Sequence, residues 1–318
     1  MILKRHAVLL LLPLLFPFLI GCTGQQPVNR LTSLPEDNFN FIIANDLGRN
    51  GYYLQKPIAE TMGNLAETVD IEFVAAAGDV HHFEGVRSVN DPLWMTNYEL
   101  IYAHPELMID WFAIMGNHEY RGSTQAVIDY SGVSRRWNAP ARYYARSFEV
   151  EDTASLLVVF VDTTPMIDKY RRDSLDYPDA GKQNLEIQLE WIDSTLAASD
   201  DTWKVVIGHH PVYAQTDKNE QERIDMQERL NTILTKYGVD MYICGHIHNF
   251  QHIRDGKSDI DYVVNSSASL ARDVEPVEGT QFCSPEEGFS VMSLSAKEMN
   301  LYMLDCNGSV LYTVSRRK

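Results

Sequence analysis

Five of the six short apolar runs in the sequence end in an acidic, amide or imidazole side chain. The runs begin at residues 39, 71, 111, 155, 203 and 241. Because amphipathic stretches separate them, they predict the strands of an α/β fold. The polar residues that follow the five runs are Asp46, Asp79, Asn117 with His118, His209 with His210, and His246 with His248.

The remaining segments fit the same architecture. Apolar residues recur at helical spacing in residues 56–69, 184–199 and 219–238. Gly238 suits the C-terminal end of the third predicted helix. After residue 260 the pattern predicts antiparallel strands with a turn at Asn307-Gly308. We found no internal repeat and no second linker, so the sequence predicts a single domain over residues 38–318.

The polar residues at the strand ends are predicted to form one site. In an α/β sheet, ligands bind in the crevice beyond the carboxyl ends of the strands. Carboxylate, amide and imidazole groups together suit Mn, Fe or Zn better than calcium, and they differ from a thiolate zinc site. The candidate ligands are too many for one tetrahedral ion. Two ions that share an aspartate would use all of them, as in dinuclear enzymes that hydrolyse phosphate esters.

The charge of the chain limits its partners. Lys and Arg number 27 against 44 Asp and Glu, which gives a formal net charge of −17. Binding to duplex nucleic acid requires basic surface to neutralise phosphates, so the sequence argues against that partner. A small phosphorylated substrate is compatible with an acidic protein, because bound metal ions can dominate the local field. We expect the protein to be a monomer.

The N-terminal residues predict export. Lys4 and Arg5 precede an apolar run, residues 7–20, which is too short for a confident membrane span. The run ends in Leu-Ile-Gly-Cys, which resembles the bacterial lipobox, so Cys22 is the predicted lipidation site. Residues 1–21 would be a lipoprotein signal peptide and residues 22–37 a lipid-anchored tether. The alternative is an ordinary signal peptide. The lipobox predicts an exported bacterial lipoprotein, anchored to a membrane in the periplasm or at the cell surface.

The ordered motifs also carry a family resemblance. "ND-LG", "GD-VHH", "GNHE", "GHHP" and "GHIHN" resemble the five motif blocks of the calcineurin-like metallophosphoesterases. The segments "FEGVRSVND", "DYSGVSRRWNAP" and "SAKEMNLY" make the chain more similar to the small purple acid phosphatases of the tartrate-resistant type. This resemblance implies a four-layer αββα sandwich, with a dinuclear metal site at the C-terminal edge of the strands.

The resemblance also implies roles for single residues. Asp46 and His248 would bind the first metal, and Asp79 would bridge the pair. The second metal would be held by Asn117, His209 and His246. His118 would contact the phosphate and help to protonate the leaving group. Glu119 is expected to orient His118, and His210 is expected to be a packing residue. The expected cofactors are two divalent or mixed-valence ions of Fe, Mn or Zn.

Two positions depart from the family pattern. In purple acid phosphatases a tyrosine three residues after the bridging aspartate binds ferric iron and gives the colour, but here that position is His82. His81 would point to the opposite side of an extended segment, so His82 is the favoured ligand and His81 the alternative. A neutral imidazole favours a divalent first metal, a colourless protein and a rate optimum near neutral pH. The second departure is Lys218, at a position where the family has a histidine. Lys218 is expected either to neutralise a phosphate oxygen or to be an exposed loop residue.

These features predict an enzyme that hydrolyses phosphate monoesters outside the cytoplasm. One alternative is a phosphodiesterase or nucleotidase with the same site, because the loops around the metals select the substrate. Another is a non-catalytic lipoprotein that binds a phosphate ligand. Three cysteines remain beyond Cys22, and a Cys283–Cys306 disulfide is conceivable in an oxidising compartment.

Overall fold

The computed structural model describes residues 29–318. The predicted signal peptide, the lipidation site Cys22 and the first part of the predicted tether lie outside the described residues. Asn29 and Leu31, at the end of the predicted tether, hydrogen-bond through their backbones to Val310 and Gly308. This part of the predicted tether therefore lies against the C-terminal hairpin. None of the helices within residues 29–318 has the length and apolar character needed to cross a bilayer.

The described residues form fourteen strands in two mixed sheets. The strands are β1 (Phe39–Ala44), β2 (Phe73–Ala77), β3 (Asp110–Ile114), β4 (Trp137–Asn138), β5 (Tyr144–Glu151), β6 (Ala154–Phe160), β7 (Trp203–Ile207), β8 (Met241–Cys244), β9 (Phe250–Ile253), β10 (Asp261–Val264), β11 (Thr280–Ser284), β12 (Gly288–Leu294), β13 (Glu298–Asp305) and β14 (Val310–Arg317).

Each sheet has seven strands, four of which are neighbours that run parallel. The first sheet has the order β14-β13-β12-β1-β2-β3-β4, in which β1 to β4 run parallel. The second sheet has the order β11-β9-β10-β8-β7-β6-β5, in which β6, β7, β8 and β10 run parallel. In the first sheet the antiparallel strands all lie beyond β1, and the parallel strands extend to the edge at β4. In the second sheet β5 flanks the parallel strands on one side and β9 and β11 lie on the other. The predicted ligands follow the ends of parallel strands of both sheets.

Helices connect the parallel strands. They are α1 (Gln55–Ala66), α2 (Thr124–Asp129), α3 (Asp168–Arg172), α4 (Leu185–Ala197), α5 (Glu220–Met226) and α6 (Thr232–Lys236). π-Helical turns cover Trp94–Glu99 and Gln227–Asn231, and 3₁₀ turns cover Pro105–Leu107, Glu119–Arg121, Tyr130–Gly132, Thr164–Met166 and Ala180–Lys182. Asn184 caps α4, because its side chain accepts a hydrogen bond from the backbone N–H of Ile187.

The alternation of side chains along the strands produces the layers. Phe41 and Ile43 of β1 are buried in a cluster with Val158 and other residues of the second sheet. Their neighbour Ile42 belongs to a different cluster, which includes Ile58 of α1. Because successive strand residues point to opposite faces, each sheet packs on its partner with one face and on helices with the other. The predicted α/β sandwich with helical outer layers is confirmed.

The structure also corrects several details of the predicted elements. The single helix predicted over 219–238 is interrupted by the π-helical turn at Gln227–Asn231, while Gly238 follows it at φ +58 as expected. The patterns did not predict β4, β5, β9 or β11. The conceivable disulfide is absent from the described residues, since Cys283 on β11 and Cys306 after β13 lie on different sheets and are both free thiols.

Candidate metal centre

The parallel strands of both sheets carry their polar ends to one edge of the sandwich. β1, β2 and β3 are paired in register, with Ala44 opposite Ala76 and Ala76 opposite Ala113. The loops after these three strands therefore start side by side. The loops after β7 and β8 come from the second sheet, and the backbone N–H of His246 in the loop after β8 donates to Oδ2 of Asp46 in the loop after β1.

Glycines allow the loops to approach one another closely. A Cβ atom added to Gly116 would lie 2.1 Å from Oδ1 of Asp79. At Gly245 it would lie 2.3 Å from Nδ2 of Asn45 and 2.6 Å from Oδ2 of Asp46. Because these side chains pack directly on the glycine backbone, no residue with a Cβ atom fits at either position. The glycines in the "GNHE" and "GHIHN" motifs are thus explained by contacts with the two aspartates.

Four of the predicted ligands have an uncommon backbone conformation. Asp46, Asp79, His246 and His248 have φ angles of 50, 53, 70 and 66 degrees. Left-handed backbone is uncommon for residues other than glycine and concentrates at functional sites, where the surrounding structure enforces it. Asp46 and Asp79 each come two residues after a strand, and His246 and His248 lie in the turn between β8 and β9, so the strained turns aim their side chains across the same edge.

One oxygen of each aspartate fixes the loops. Oδ2 of Asp46 accepts hydrogen bonds from Nδ2 of Asn45 at 2.7 Å and from the backbone N–H of His246 at 2.8 Å. Oδ1 of Asp79 accepts one from the backbone N–H of His118 at 2.9 Å. The other oxygen of each carboxylate remains directed towards the imidazoles.

The first group of candidate ligands is Asp46, His82 and His248. Nε2 of His248 lies 3.0 Å and Nε2 of His82 lies 4.0 Å from Oδ1 of Asp46. Nδ1 of His248 lies 2.8 Å from the carbonyl oxygen of Leu270, which can only accept a hydrogen bond. Nδ1 therefore carries a proton, and Nε2 is the nitrogen that faces the group.

Asp79 lies between this group and the second one. Its Oδ2 is 3.5 Å from Nε2 of His82 and 3.1 Å from Nε2 of His209. Nδ1 of His209 donates to the carbonyl of Ala77 at 2.9 Å, which again leaves Nε2 for the site. The ligand atoms of Asp46, Asp79 and His209 all lie within 4.8 Å of one another. Asp79 has the position expected of a shared ligand.

The chemistry of these atoms fits a metal ion. Five buried side-chain atoms at this edge have no hydrogen-bond partner among residues 29–318, namely Oδ1 of Asp46, Nδ1 and Nε2 of His82, Oδ1 of Asn117 and Nε2 of His209. Buried polar atoms without partners are costly unless they are ligands or catalytic groups. Oxygen and imidazole nitrogen atoms that converge in this way match the preferences of Mn, Fe and Zn. The residues present thus fit the metal ions that the sequence predicted.

The carboxylates are held in their charged form. Burial alone would raise the pKa of Asp46, but His248 and His209 outweigh it and lower the pKa well below the ordinary value. Burial is likewise outweighed at Asp79, mainly by His209 and His118. The pKa of His209 is raised to about 9, because Asp79 and Asp46 overcome the effect of burial. A metal ion would therefore compete with a proton on His209.

The two adjacent histidines of "GDVHHF" have different surroundings. His81 is fully buried against the edge of Trp94, with ring centroids 4.4 Å apart, and its Nδ1 lies 3.5 Å from Nδ2 of Asn97. Burial lowers the pKa of His81 to about 3. His82 instead points to Asp46 and Asp79. The structure thus places His82, and not His81, among the candidate ligands.

Asn117 and His246 make fewer contacts with the other candidate ligands. Asn117 is buried and its Oδ1 has no partner among the described residues, as a ligand atom would require. The imidazole of His246 lies close to His209, with ring centroids 5.2 Å apart. However, its Nε2 is 2.9 Å from Nζ of Lys218 and 3.2 Å from Oε2 of Glu222. Nδ1 of His246 also lies 3.2 Å from Nζ of Lys218, so both ring nitrogens contact the lysine.

Lys218 lies beside the site and is not an exposed loop residue. Its Nζ also donates to the backbone carbonyl of His246 at 2.8 Å. Burial lowers the pKa of Lys218 to about 8, although Asp46 raises it in part. The structure therefore favours the first of the two roles expected for Lys218, a cation at the edge of the metal centre.

His118 and Glu119 occupy different parts of the site. Nδ1 of His118 donates to the carbonyl of Phe83 at 2.6 Å, and its Nε2 lies 3.9 Å from Oδ2 of Asp79. Glu119 was expected to orient His118, but its carboxylate accepts hydrogen bonds from the backbone N–H groups of Asp79, His81 and Gly116. Glu119 therefore fixes the loop that carries the candidate ligands, while the Phe83 carbonyl orients His118.

His210 is buried outside the main cluster, as expected for a packing residue. Its Nδ1 lies 2.8 Å from the hydroxyl of Thr163, and its ring packs 5.1 Å from that of Tyr170. A ligand atom of His210 nevertheless lies within 4.8 Å of those of His209 and His246. Burial, reinforced by His246, lowers the pKa of His210 well below its ordinary value, so His210 is neutral.

Sequence analysis missed two residues at this edge. Glu222 is buried on α5 and contacts both His246 and Nζ of Lys169, the latter at 2.8 Å. Arg49 is 7% exposed and comes three residues after Asp46. A charged residue in a polar helix or loop gives no signal of burial, so neither could be found from the pattern alone.

An edge where two sheets bring carboxylates and imidazoles together defines the class of metal-dependent phosphoesterases with a sandwich fold. The family described as calcineurin-like phosphoesterase matches residues 39–250. Purple acid phosphatase 3 of Arabidopsis thaliana is 31% identical over 294 residues, which cover 88% of this chain and 78% of the relative. Tartrate-resistant acid phosphatase type 5 of Homo sapiens is 27% identical, over 78% of this chain and 81% of its own.

A solved structure agrees with the fold. GAP50, described as the anchor in the inner membrane complex of Plasmodium, superposes with a TM-score of 0.75 at 21% identity, covering 88% of this chain and 89% of its own. At that identity the likeness concerns the fold alone.

The chain belongs to the calcineurin-like phosphoesterase family and, within it, to the purple acid phosphatases. Its enzyme class is therefore that of the metallophosphoesterase hydrolases.

Proposed function

We propose that the protein hydrolyses phosphate monoesters at a centre of two metal ions. The observation that carries this proposal is the group of four side chains at the shared edge of the two sheets whose five buried polar atoms have no hydrogen-bond partner within residues 29–318. Relatives named as purple and tartrate-resistant acid phosphatases support the same chemistry. A fold with only a structural role would have no use for a buried cluster of polar atoms that bind nothing.

The ligands divide between two ions that share one aspartate. Asp46, His82 and His248 would hold the first ion, and Asp79 would bridge the pair. Asn117, His209 and His246 would hold the second. When bound, such ions supply a nucleophilic water at neutral pH and stabilise the charge that develops on the phosphoryl group.

His118 is the proposed proton donor to the departing alcohol. Because Nδ1 of His118 is held by the carbonyl of Phe83, Nε2 is the nitrogen that faces the site. The His118 side chain is 16% exposed, so the leaving group can reach it from solvent. Burial lowers the pKa of His118, and Asp79 partly opposes this. A bound phosphate dianion would favour the protonated ring further, which is the form that donates.

Basic side chains surround the site in an otherwise acidic protein. Arg49 and Lys218 lie close enough to Asp46 for that carboxylate to influence the pKa of each. Arg272 lies on the same side and contacts the loop of His248 through its backbone N–H. Cations near a site concentrate anionic substrate even when the net charge of the chain is −17.

The metal pair is proposed to be divalent, with Fe, Mn or Zn as candidates. His82 contributes a neutral imidazole where a phenolate would supply a negative charge, and this weakens the preference for ferric iron. A divalent ion acidifies bound water less than a ferric ion does, so the rate optimum is expected near neutral pH.

We also propose that the enzyme is exported as a lipoprotein and acts as a monomer on small phosphorylated substrates, without binding duplex nucleic acid. The lipobox-like sequence before Cys22 and the acidic composition support this. Metabolic labelling with a radioactive fatty acid tests the anchor, since Cys22→Ser should lose the label and leave the membrane fraction. A labelled Cys22→Ser protein would contradict it.

Elemental analysis and a substrate panel test the catalytic proposal. The purified protein should contain close to two ions per chain and should hydrolyse a phenyl monoester faster than the bis-ester. Asn117→Ala should lose metal and at least about 10–100-fold in kcat/KM, the range seen when groups around a metal are removed. The matched control Asn64→Ala, on the exposed face of α1, should behave like the wild type.

Other outcomes would identify the alternatives. Faster turnover of the bis-ester would indicate a phosphodiesterase, and selective turnover of nucleotides a nucleotidase. Fewer than one ion per chain, with no hydrolysis after addition of Mn, Fe or Zn, would indicate a non-catalytic protein that binds a phosphate ligand. Equal activity of Asn117→Ala and the wild type would contradict the site assignment.

A further inference from the structure

The turn between β13 and β14 lies at the edge of the sandwich that carries the candidate ligands. We call this edge, which carries Asp46, Asp79, Asn117, His209 and His246, the ligand edge. β1 pairs antiparallel with β12, with Ile43 opposite Ser290, and β12 pairs antiparallel with β13, with Gly288 opposite Asp305. Asp305 at the end of β13 is therefore level with the carboxyl end of β1. β14 starts at the ligand edge and runs away from it.

The N-terminal segment of the described residues meets this turn. Arg30 forms a β-bridge with Ser309, and the backbone N–H of Val310 donates to the carbonyl of Asn29 at 2.8 Å. Arg30 also lines a cavity together with Pro57, in the first turn of α1. Because α1 begins where the loop after β1 ends, this contact too lies towards the ligand edge. The chain that leads from the predicted lipidation site therefore joins the domain at the ligand edge.

The sequence limits how far the domain lies from a lipid on Cys22. Six residues separate Cys22 from Asn29, and a chain of that length spans at most about 25 Å. β14 has eight residues and is itself about 25 Å long. If the opposite edge faced the bilayer, the six residues would have to run back along the whole of β14. If the ligand edge faces the bilayer, β1 lies only about 15 Å to the side of β14, which is three strand spacings.

Exposed apolar side chains gather at the ligand edge. Five large apolar or aromatic side chains within residues 29–318 are at least 61% exposed. Four of them lie in segments that follow parallel strands, namely Tyr52 and Tyr53 after β1, Phe83 after β2 and Leu175 after β6. Tyrosine suits the boundary between water and lipid, because its ring enters the apolar phase while its hydroxyl stays hydrated. The ligand edge thus has the side chains of a surface that contacts a membrane.

The loop that carries the two tyrosines is held in place. Oε1 of Gln55 accepts hydrogen bonds from the backbone N–H groups of Arg49 at 3.0 Å and Gly51 at 2.7 Å. Tyr53 has a φ angle of +55 degrees, an uncommon conformation for a bulky residue. Strained backbone of this kind persists where the surroundings enforce it, so the rings are presented to solvent by a fixed loop.

The exposed side chains border the candidate metal centre. The ring of Phe83 lies 5.9 Å from that of His82 and 5.9 Å from that of His118. A bilayer surface in contact with Phe83 would therefore hold its headgroups beside the proposed proton donor.

The net charge makes this contact depend on the anchor. With a formal charge of −17, the protein is not attracted to an anionic bilayer by long-range electrostatics. Stable binding to a bilayer generally requires two signals, because a single weak one dissociates. A lipid on Cys22 and the exposed side chains of the ligand edge would supply both.

We propose that the ligand edge faces the bilayer that holds Cys22, and that the enzyme hydrolyses phosphate monoesters of lipids at that surface. The proposal rests on the proposed phosphatase function and on the proposed lipid anchor. Hydrolysis forms a bond from phosphorus to the oxygen of water and breaks the bond from phosphorus to the oxygen of the lipid alcohol. The leaving oxygen takes its proton from His118, so the alcohol stays in the bilayer and inorganic phosphate is released.

Fluorescence quenching tests the orientation. The lipidated full chain would be placed in phosphatidylcholine vesicles with brominated acyl chains, which quench tryptophan that contacts the lipid. Tyr52→Trp should lose fluorescence in these vesicles relative to vesicles without bromine. Lys297→Trp is the matched control, because Lys297 is exposed in the turn between β12 and β13 at the opposite edge, and it should show no such loss.

Rates on two substrates test the choice of substrate. On vesicles that contain phosphatidic acid, the metal-loaded lipidated protein should be at least about 100-fold faster than Cys22→Ser, because the anchor raises the effective concentration of substrate. Both forms should hydrolyse dissolved glycerol 2-phosphate equally. Insertion of about twenty Gly and Ser residues between Gln25 and Gln26 should lower the vesicle rate about five- to tenfold, since effective concentration falls with tether length. Tyr52→Ser should lower the vesicle rate alone, and the control Lys297→Ser should lower neither rate.

Each component of the proposal has its own contrary result. Absence of quenching in Tyr52→Trp would overturn the orientation. Hydrolysis of glycerol 2-phosphate without a faster rate on phosphatidic acid in the anchored form would overturn the lipid substrate and leave the phosphatase function standing. Quenching in Tyr52→Trp without hydrolysis of either substrate would overturn the phosphatase function and keep the orientation. Wild-type protein that does not float with the vesicles would overturn the anchor, and the proposal with it.

Discussion

Replacing each of the adjacent histidines His81 and His82 by alanine should have opposite consequences. His81 is enclosed by protein, with its ring against Trp94 and its Nδ1 near Asn97. Both ring nitrogens of His82 are buried and without hydrogen-bond partners among the described residues, and Nε2 lies 4.0 Å from Oδ1 of Asp46 and 3.5 Å from Oδ2 of Asp79. The first side chain therefore contributes to packing, and the second is available to a metal ion.

The expected magnitudes follow from these surroundings. His81→Ala leaves a cavity in the core, which costs about 2–4 kcal/mol of the free energy of unfolding by analogy with other large-to-small replacements. It should leave the metal content unchanged. His82→Ala removes a group that forms no hydrogen bond, so its effect on the metal-free protein should be smaller. Its metal affinity should fall at least about 10–100-fold, which is about 1.4–2.8 kcal/mol of binding free energy.

Urea unfolding with and without metal separates the two effects. In the presence of EDTA, His81→Ala should be the less stable variant. With excess Zn or Mn, the wild type and His81→Ala should gain stability, because ligands that bind only the folded state stabilise it. His82→Ala should gain least, and elemental analysis after gel filtration should find it depleted of metal. Depletion in His81→Ala together with full occupancy in His82→Ala would refute the assignment.

Three further predictions concern colour, pH and charge. Iron-loaded wild type should lack a strong visible charge-transfer band, and His82→Tyr should acquire it, as absorbance spectra would show. The rate maximum of the wild type should lie near neutral pH, which a pH profile checks. Burial raises the pKa of Asp162 to about 7 from 3.8, so the folded protein holds this proton more tightly than the unfolded chain does. The resulting contribution to the free energy of unfolding is fully present below pH 3.8 and is lost as the pH rises through 7. Urea titrations should therefore show that the wild type loses about 2–3 kcal/mol more than Asp162→Asn between pH 5 and pH 8, and parallel losses would contradict this. Lys218→Ala should lower kcat/KM about 10–100-fold, the worth of one charged hydrogen bond to phosphate, with metal content retained; loss of metal would instead make Lys218 a support for His246.

The sequence predicted the parts of the fold that depend on periodicity. β1, β2 and β3 are short apolar runs whose carboxyl ends meet at one edge, so the positions of Asp46, Asp79 and Asn117 followed from the general properties of α/β sheets. The alternation of side chains also placed His81 and His82 on different sides, and the structure agrees. Local spacing was sufficient because these residues lie within two to five positions of a strand end.

Contacts between distant loops could not be predicted in this way. Glu119 was expected to act on its neighbour His118, but its carboxylate binds backbone N–H groups of the loop after β2, about forty residues away, at Asp79 and His81. Glu222 reaches His246 from α5, and no periodic pattern indicates that a helical carboxylate is buried. Such contacts depend on how the helices and loops pack, which a single sequence does not encode at fixed spacing.

The two departures from the family pattern can be weighed by charge. In the family pattern a ferric and a divalent ion face two aspartates and one phenolate, which leaves two net positive charges. In this chain two divalent ions would face Asp46 and Asp79 with a neutral His82, which leaves the same two charges. The exchange of phenolate for imidazole thus preserves the charge that a phosphate dianion meets, provided that the ferric ion is exchanged as well. Lys218 then adds a cation of its own beside His246. A ferric ion at this site would leave an additional uncompensated charge in a buried setting, and this is the physical reason to expect a divalent pair.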